Sequence, residues 1–443
     1  MIDGTPAAET PSRDFVATAT DGGGTLPDAI SNSFAIEVSV GVVPSDGITF
    51  ERATPEQIGI YIPVTDPLSS LATAAVRYRP AIESVWRTAH PLLRIHPEWN
   101  SGGAPRAVVD AFAGSSFDLE PGTAYDVEVT ITPPTGDPEV MVSEFTTRAL
   151  PEEGVAATVN ATTADNLQSL IDALVPGDVL ELAAGTYEVD GLHVDVSGTA
   201  VAPITIRGVD RESVVLHDSG GTIIQFVHAS HVIIEDMTLQ GSGTDSGTSA
   251  SSVAVSFWDG TLQEYATFRR LDIEGVDMGV IGWDTVNSVL VYDCVLTGNN
   301  EWNEEFVDSN LTWNDDGIRL PGEANCAFDN TLHGFGDTFA VNNGVFSAAV
   351  YFYRNRISMT GDDACEGDYG TRNLAFYDNH ISNCSTFLSL DPIWGGPLYA
   401  FRNVCLNTTR GPFKLNSTNS GFLIYSNSII RTEGDFSWGW VQF

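Results

Sequence analysis

Short runs of alternating apolar and polar residues dominate the chain from about residue 31 onward. SFAIEVSV and AYDVEVTI alternate with a period of two, as half-buried strands do. NLQSLIDALVPGD (166–178) breaks this rhythm: Leu167, Leu170, Ile171 and Leu174 recur at helical spacing, and Pro176-Gly177 closes the segment. After it come VLEL, GLHVDV, PITIRG, VVLHD, TIIQFVH and HVIIEDMTL, each short and bounded by Gly, Asp or Ser. A repeat then emerges. YFYRNRI begins at 351, AFYDNHI at 375, YAFRNVC at 399 and LIYSNSI at 423, a spacing of 24 that sets Asn355, Asn379, Asn403 and Asn427 in one register. Weaker members at 268, 292 and 328 extend the series backwards, with one coil lengthened by about a dozen residues.

A period in the low twenties built from strand segments predicts a solenoid of β-coils stacked ~4.8 Å apart. One coil cannot bury its own apolar face, so stacking supplies the core. The asparagines then form a hydrogen-bonded ladder inside a turn, and the helix covers the open edge of the first coil. The expected fold is all-β: a right-handed parallel β-helix over residues 158–443, preceded by a leader or linker (1–30), a β-sandwich (31–150) and a linker (151–157). FSWGWVQF (436–443) reads as a strand with no capping segment after it. An unpaired terminal coil is open to association, so the expectation is either a chain cut from a longer one or an end that something else covers.

Charge narrows the choice of partners. The 59 acidic residues against 20 basic ones give a net charge of −39, and Lys414 is the sole lysine. Such a surface has nothing to neutralise phosphates, which argues against nucleic acid and anionic membranes, and it fits a protein kept soluble in high salt. No apolar run approaches the ~18 residues of a membrane span. The first residues carry no signal-peptide pattern, so the secreted location expected for such a protein implies a leader not present in this chain. The five cysteines (294, 326, 365, 384, 405) show no zinc spacing and read as small buried hydrophobes. Trp86, Trp99, His90 and His96 read as core or surface fillers.

Two resemblances sharpen this picture. LEPGTAYDVEV (119–129), followed by EFTTRAL, resembles a fibronectin type III domain, with Tyr125 at the tyrosine-corner position. The P-G-D-x-L-x-L-x-x-G-T-Y and S-G-T-x-x-x-P-I-T-I-R-G runs of 166–208 resemble the opening of the pectate-lyase-like β-helix superfamily, most of all alginate and chondroitin lyases. Those lyases share a lysine base and an Arg-His pair beside a calcium-binding group; this chain has Lys414 in PFKLN and no Arg-His pair. NDDGIRL (314–320) and GDDAC (361–365) are similar to polygalacturonase motifs, which implies Asp316, Asp362 and Asp363 as catalytic acids.

Alignment of the strands that follow the asparagine turns places Asp316, Asp337 and Asp363 at similar strand-start positions, where aspartates cap turns. Ile318, Phe339, Cys365, Phe387 and Phe413 then form an inward column. Arg319, Ala340, Glu366, Leu388 and Lys414 form an outward one. Glu366, Asp368, Asp363, Asp391 and Lys414 are the candidate catalytic residues. Arg319, Asp316, Trp302, Trp313 and Trp394 are the candidate substrate contacts. Should the site hold Ca²⁺, the expected ligands are Asp362, Asp363, Glu366 and Asp368. The expected function is an extracellular polysaccharide-active enzyme, a glycoside hydrolase using paired carboxylates. The alternatives are a calcium-assisted polysaccharide lyase and a non-catalytic binding or adhesion module.

Overall fold

Residues one repeat apart in sequence lie directly over one another in space. Tyr353 pairs with Tyr377, Tyr377 with Phe401 and Phe401 with Tyr425, in parallel register. The computed structural model describes residues 47–431 except 65–70, 97–107, 109, 135, 243–251, 258–259, 261–262, 301–314, 342–345 and 416–420, together with the strands Pro6–Ala7, Ser12–Val16, Ala35–Ser39 and Val441–Gln442. From Val159 to Gln442 the strands form one continuous parallel system, a right-handed parallel β-helix. Each coil turns through three walls. In one coil Tyr351–Tyr353 lies on a first wall, while Arg356–Glu366 begins on a second and ends on a third, with a register shift between Thr360 and Asp363.

The interior is filled by side chains that point inward on every coil. Leu296, Leu332, Ile357, Ile381 and Cys405 stack along the second wall, and Ile318, Phe339, Cys365 and Leu388 along the third, all at most 2% exposed. Burial of each such side chain contributes roughly 1.5–3 kcal/mol. The expected inward column therefore holds except at one coil. Cys365 pairs with Leu388 and Leu388 with Phe413, so Leu388 faces inward and Ser389, not Leu388, stands in the outward column. The shift between Thr360 and Asp363 absorbs a residue and moves the following strand by one place.

The asparagine ladder forms as its spacing predicts. Asn379 Oδ1 accepts both the backbone N–H and the Nδ2 of Asn355 at 3.0 Å, and Asn403 does the same for Asn379. The ladder runs on to Asn330 below and Asn427 above. At the foot of the solenoid, the helix Leu167–Asp172 is capped by Asn166, whose side chain accepts the Ser169 N–H, and it buries Leu167 and Ile171 against the first coils. All five cysteines are buried and unbridged.

Two four-stranded antiparallel sheets, strands Glu139–Thr146, Ala124–Thr132, Thr73–Pro80 and Arg87–Thr88 on one side and Thr49–Phe50, Ile58–Pro63, Ala111–Ser116 and Leu93–Ile95 on the other, make a β-sandwich around Ile60, Val76, Phe112, Val127 and Val129. Tyr125 Oη accepts the Glu120 N–H at 2.8 Å, the corner contact expected of it. Ala35–Ser39 joins neither sheet; with Ser12–Val16 and Pro6–Ala7 it makes a separate three-stranded sheet, so part of 1–30 is paired strand where a leader or linker is expected. At the far end Val441–Gln442 pairs with Phe413–Lys414, whereas 436–440 lie outside the described residues.

The sandwich sits on the first wall. Tyr292, Phe328, Tyr353, Tyr377, Phe401 and Tyr425 stack there ring on ring, 4.9–5.0 Å apart. Phe117 of the sandwich points its ring into the stack, with centroids 5.2 Å from Tyr377 and 4.9 Å from Phe401. Gln57 donates to Tyr377 Oη at 2.6 Å, and Glu51 pairs with Arg372 at 2.6 Å. With the first wall covered, the second and third walls carry the polar surface. No helix among the described residues is long and apolar enough to cross a membrane.

Candidate active site on the third wall

Third-wall strands place one column on consecutive coils, polar at Arg319, Glu366, Ser389 and Lys414, with Ala340 and Ser389 fully buried within it. Arg319 pairs with Ala340, Ala340 with Glu366, Glu366 with Ser389 and Ser389 with Lys414. Four coil steps of ~4.8 Å set Arg319 and Lys414 about 19 Å apart along the axis, with Glu366 midway. Asp316 and Asp337 open their strands in register, Asp363 lies inside Arg356–Glu366 where that strand enters the third wall, and each is at most 1% exposed. Asp337 Oδ1 accepts the Asp363 N–H at 3.0 Å, the capping contact its position suggests.

Asp337 also does more than cap. One carboxylate oxygen each from Asp316, Asp337 and Glu366 lie within 4.8 Å of one another, and so do oxygens from Asp337, Asp362 and Asp363. Among the described residues, three cations oppose these carboxyls. Arg319 pairs with Asp316, Lys414 Nζ stands 3.0 Å from Asp363 Oδ2, and Arg410 lies 3.9 Å from Asp362. The compensation is incomplete: among the described residues, Asp316 Oδ1 and Asp363 Oδ1 are buried without a hydrogen-bond partner.

Burial and crowding of like charge favour protons here. Burial pushes Asp316 up to about 7 against the pull of Arg319. Burial, then Asp362, raise Asp363 to about 7 despite Lys414. Asp368 rises to about 6 through burial, opposed by Lys414 and by hydrogen bonds from Ser389 Oγ and the Asp391 N–H at 2.8 and 2.7 Å. Glu366 is held well above the usual carboxylate range by burial and by Asp368, Asp316 and Asp363. Asp337 is held there by burial and by Glu366 and Asp362. Burial works to lower Lys414, but Asp363, Asp362 and Asp368 outweigh it, so the ammonium stays charged well above its ordinary range.

The structure thus brings Glu366, Asp363, Asp368, Asp316, Arg319 and Lys414 to one wall, with Asp391 joined through its N–H to Asp368. Trp394 departs from expectation. It is 8% exposed, packs edge-on against Tyr369 and donates its backbone N–H to Gly370 O, in a turn that lies beside Ile95 and Val108 of the sandwich, so it offers little surface to a sugar. Trp302 and Trp313 lie outside the described residues. Trp283 is not among the expected contacts: 39% exposed, it holds its indole 5.3 Å from the Arg319 guanidinium and donates to Ser256 Oγ at 3.0 Å. Its signal was the tryptophan directly after the third-wall strand Met278–Gly282.

The expected calcium ligands also regroup. Asp368 is engaged with Ser389 and Asp391, whereas Asp316 and Asp337 join Glu366, and Asp337 joins Asp362 and Asp363. Clustered carboxylate oxygens, with Asp316 Oδ1 and Asp363 Oδ1 unpaired among the described residues, suit a hard cation of the Ca²⁺ kind.

No family model and no curated protein matches this chain. Among solved structures it is similar to an alginate lyase from Paenibacillus sp. str. FPU-7 (16% identity, 65% of this chain and 100% of that one, TM-score 0.36). It is also similar to a family 28 exopolygalacturonase from Yersinia enterocolitica (11%, 86% and 90%, 0.34) and to a PL6 family polysaccharide lyase from Pseudopedobacter saltans (12%, 58% and 66%, 0.39). At these values the likeness assigns no residue a role.

Proposed function

We propose that the third wall is the active site of a glycoside hydrolase acting on an extracellular polysaccharide. The observation that carries this reading is Glu366. It is the partly exposed member of a buried carboxyl cluster, at the middle of a column about 19 Å long, the length of a few sugar rings. A carboxyl kept protonated at neutral pH suits a general acid that gives its proton to the glycosidic oxygen as the bond breaks. Asp363, paired through one oxygen with Lys414 and unpartnered at the other, is the carboxylate suited to draw a proton from the attacking water. Asp368 acts by charge on both groups, Asp316 on Glu366 and Asp362 on Asp363, and Asp391 orients Asp368 through its N–H. Arg319 and Trp283 offer a cation and a flat face for binding sugar beside the reacting bond.

The state of Lys414 favours hydrolysis over lysine-based elimination. A lyase base must be neutral, and this ammonium is held charged by Asp363 and its neighbours. A divalent cation on Asp316, Asp337 and Glu366 would compete with the proton that hydrolysis needs, so in this reading calcium inhibits.

The test is a screen of neutral and uronic polysaccharides, with and without calcium, followed by Glu366→Gln on whichever is cleaved. The expected result is new reducing ends without far-ultraviolet absorbance, and a rate ~10²–10⁴-fold lower in the variant. Unsaturated, absorbing products, or full activity in Glu366→Gln, overturn the assignment.

A further inference from the structure

A pocket of about 890 Å³ lies between the chain segment 148–155 and the lower coils of the first wall. Its floor is an outward column of that wall. Val179 pairs with Thr205, Thr205 with Ile233 and Ile233 with Thr267, while the neighbours Leu180, Ile206, Ile234 and Phe268 point into the core. Its roof is pinned from the adjacent outward column. Arg207 donates to Val155 O at 2.8 Å, and Arg269 donates to Pro151 O and Glu152 O at 3.1 Å, so the segment is held in place and the space beneath it is preformed. Leu150, Val155 and Val201 stand exposed around the mouth.

The polar groups here are few, and two of them are left short of partners. A corner of the solenoid brings His231, Tyr265 and Ser288 into line on successive coils, and the rings of His231 and Tyr265 stack 4.6 Å apart. Arg148 sets its guanidinium 5.2 Å from the Tyr265 ring and donates one N–H to Ser288 O. It pairs with no carboxylate among the described residues, whereas Arg269, Arg270, Arg354, Arg372 and Arg402 each do. Glu264, beside His231, is taken by Arg52 at 2.7 Å and Asn287 at 3.3 Å. Glu152 is the one carboxylate among the lining residues, and it is exposed. Burial therefore pulls Arg148 below the ordinary arginine range with no acid to offset it. On the floor, Thr267 Oγ1 is buried without a hydrogen-bond partner among the described residues.

We propose that this pocket binds a small carboxylic acid with an apolar body, its carboxylate on Arg148 and its body between the segment 148–155 and the floor. A guanidinium drawn away from water without an anion is costly, and a carboxylate offsets that cost through two parallel hydrogen bonds. One guanidinium balances one negative charge, whereas a phosphate dianion calls for more donors than the pocket holds. The apolar lining selects the body. A sugar acid, hydroxylated all round, would lose hydrogen bonds against Val179, Ile233, Leu150 and Val155. A preformed, mostly apolar space at a domain boundary with a few placed polar groups is the common form of a small-molecule site. The inference stands apart from the third-wall reading, because the two sites share no residue.

The test is isothermal titration calorimetry of the full chain with benzoate, octanoate, acetate and benzyl alcohol. Saturable binding of benzoate or octanoate, about tenfold or more tighter than acetate and benzyl alcohol, is expected. Whichever of the two acids binds tighter supports the proposal and assigns an aromatic or an aliphatic body. Arg148→Gln should weaken that acid about tenfold or more, and Arg148→Lys should keep part of the affinity. Val201→Asp changes a side chain that is 95% exposed, so the fold tolerates it, and the new charge at the mouth should weaken binding as well. If Arg148→Gln does not fold, Val201→Asp carries the test. Benzyl alcohol binding as tightly as benzoate, an affinity unchanged in either variant, or no saturable heat with either acid up to about 10 mM overturns the proposal.

Discussion

Lys414 and Asp363 are 51 residues apart in the chain and 3.0 Å apart in space. The lysine spans two coils to reach a carboxylate that is 1% exposed. Replacing Lys414 with Met leaves that carboxyl without its cation. Breaking a buried pair commonly costs ~3–5 kcal/mol; here the lysine side chain is 24% exposed and Asp363 can take up a proton, so a loss of about 1–2 kcal/mol is expected above pH ~8. Below pH ~6 Asp363 is neutral with or without the lysine, and the loss should vanish. Urea unfolding at both pH values measures this; equal midpoints at high pH would remove the pair from any structural role.

Stability should fall as pH rises from about 4 to about 8. The folded-state values near 7 for Asp316 and Asp363 lie above the unfolded value of ~3.9. The folded chain therefore keeps protons that the unfolded chain gives up. That stabilisation is fully present below about pH 4 and is lost as pH rises through about 7. General repulsion at net −39 works in the same direction, so Asp316→Asn is the needed control. Its stability should decline less steeply than that of the unchanged chain, and parallel curves would count against the buried acid.

Calcium should replace those protons. At pH ~8 a site using Asp316, Asp337 and Glu366 should raise the melting temperature in millimolar Ca²⁺, with about 2.7 kcal/mol gained at a hundredfold excess over Kd. Asp337→Asn should abolish the gain. At pH ~5, where protons hold the cluster, calcium should have little effect. Calorimetry with and without chelator decides this, and a gain that survives in Asp337→Asn places the ion elsewhere.

Phe117 tests the joint between the two domains. Its ring is 9% exposed and meets Tyr351, Tyr377, Tyr399 and Phe401. Phe117→Ala should cost ~3–5 kcal/mol and split a single calorimetric transition into two, sandwich first. A single transition shifted by less than a degree would show that the aromatic contact contributes little.

Most of the architecture was legible because a solenoid writes its geometry into its period. Asn355, Asn379, Asn403 and Asn427 announced the coil length, and the ladder follows from it. The outward position of Arg319, Glu366 and Lys414 followed from alternation alone. Alternation fails where the register shifts, so on its own it turns Leu388 to the wrong face. Asp337 looked like a simple cap because its nearness to Glu366 depends on how adjacent coils bring their carboxylates together, not on spacing within one strand. Trp394 looked like a sugar platform because a tryptophan beside two glycines gives no sign of which way its turn folds. The sandwich's seat carries its own signal in the sequence. Tyr353, Tyr377, Phe401 and Tyr425 recur at 24 residues on an outward face, and so many rings need a cover.

The sandwich laid across these rings changes how the stack can come apart. A bare solenoid frays from its last turn, each rung held only by the one beneath. Here Phe117, Gln57 and Glu51 grip several rungs at once, from Tyr351 through Phe401. Peeling any one of them also means prying loose the brace. The rungs under it are therefore expected to open together, which keeps Glu366, Asp363 and Lys414 aligned for as long as the brace stays seated.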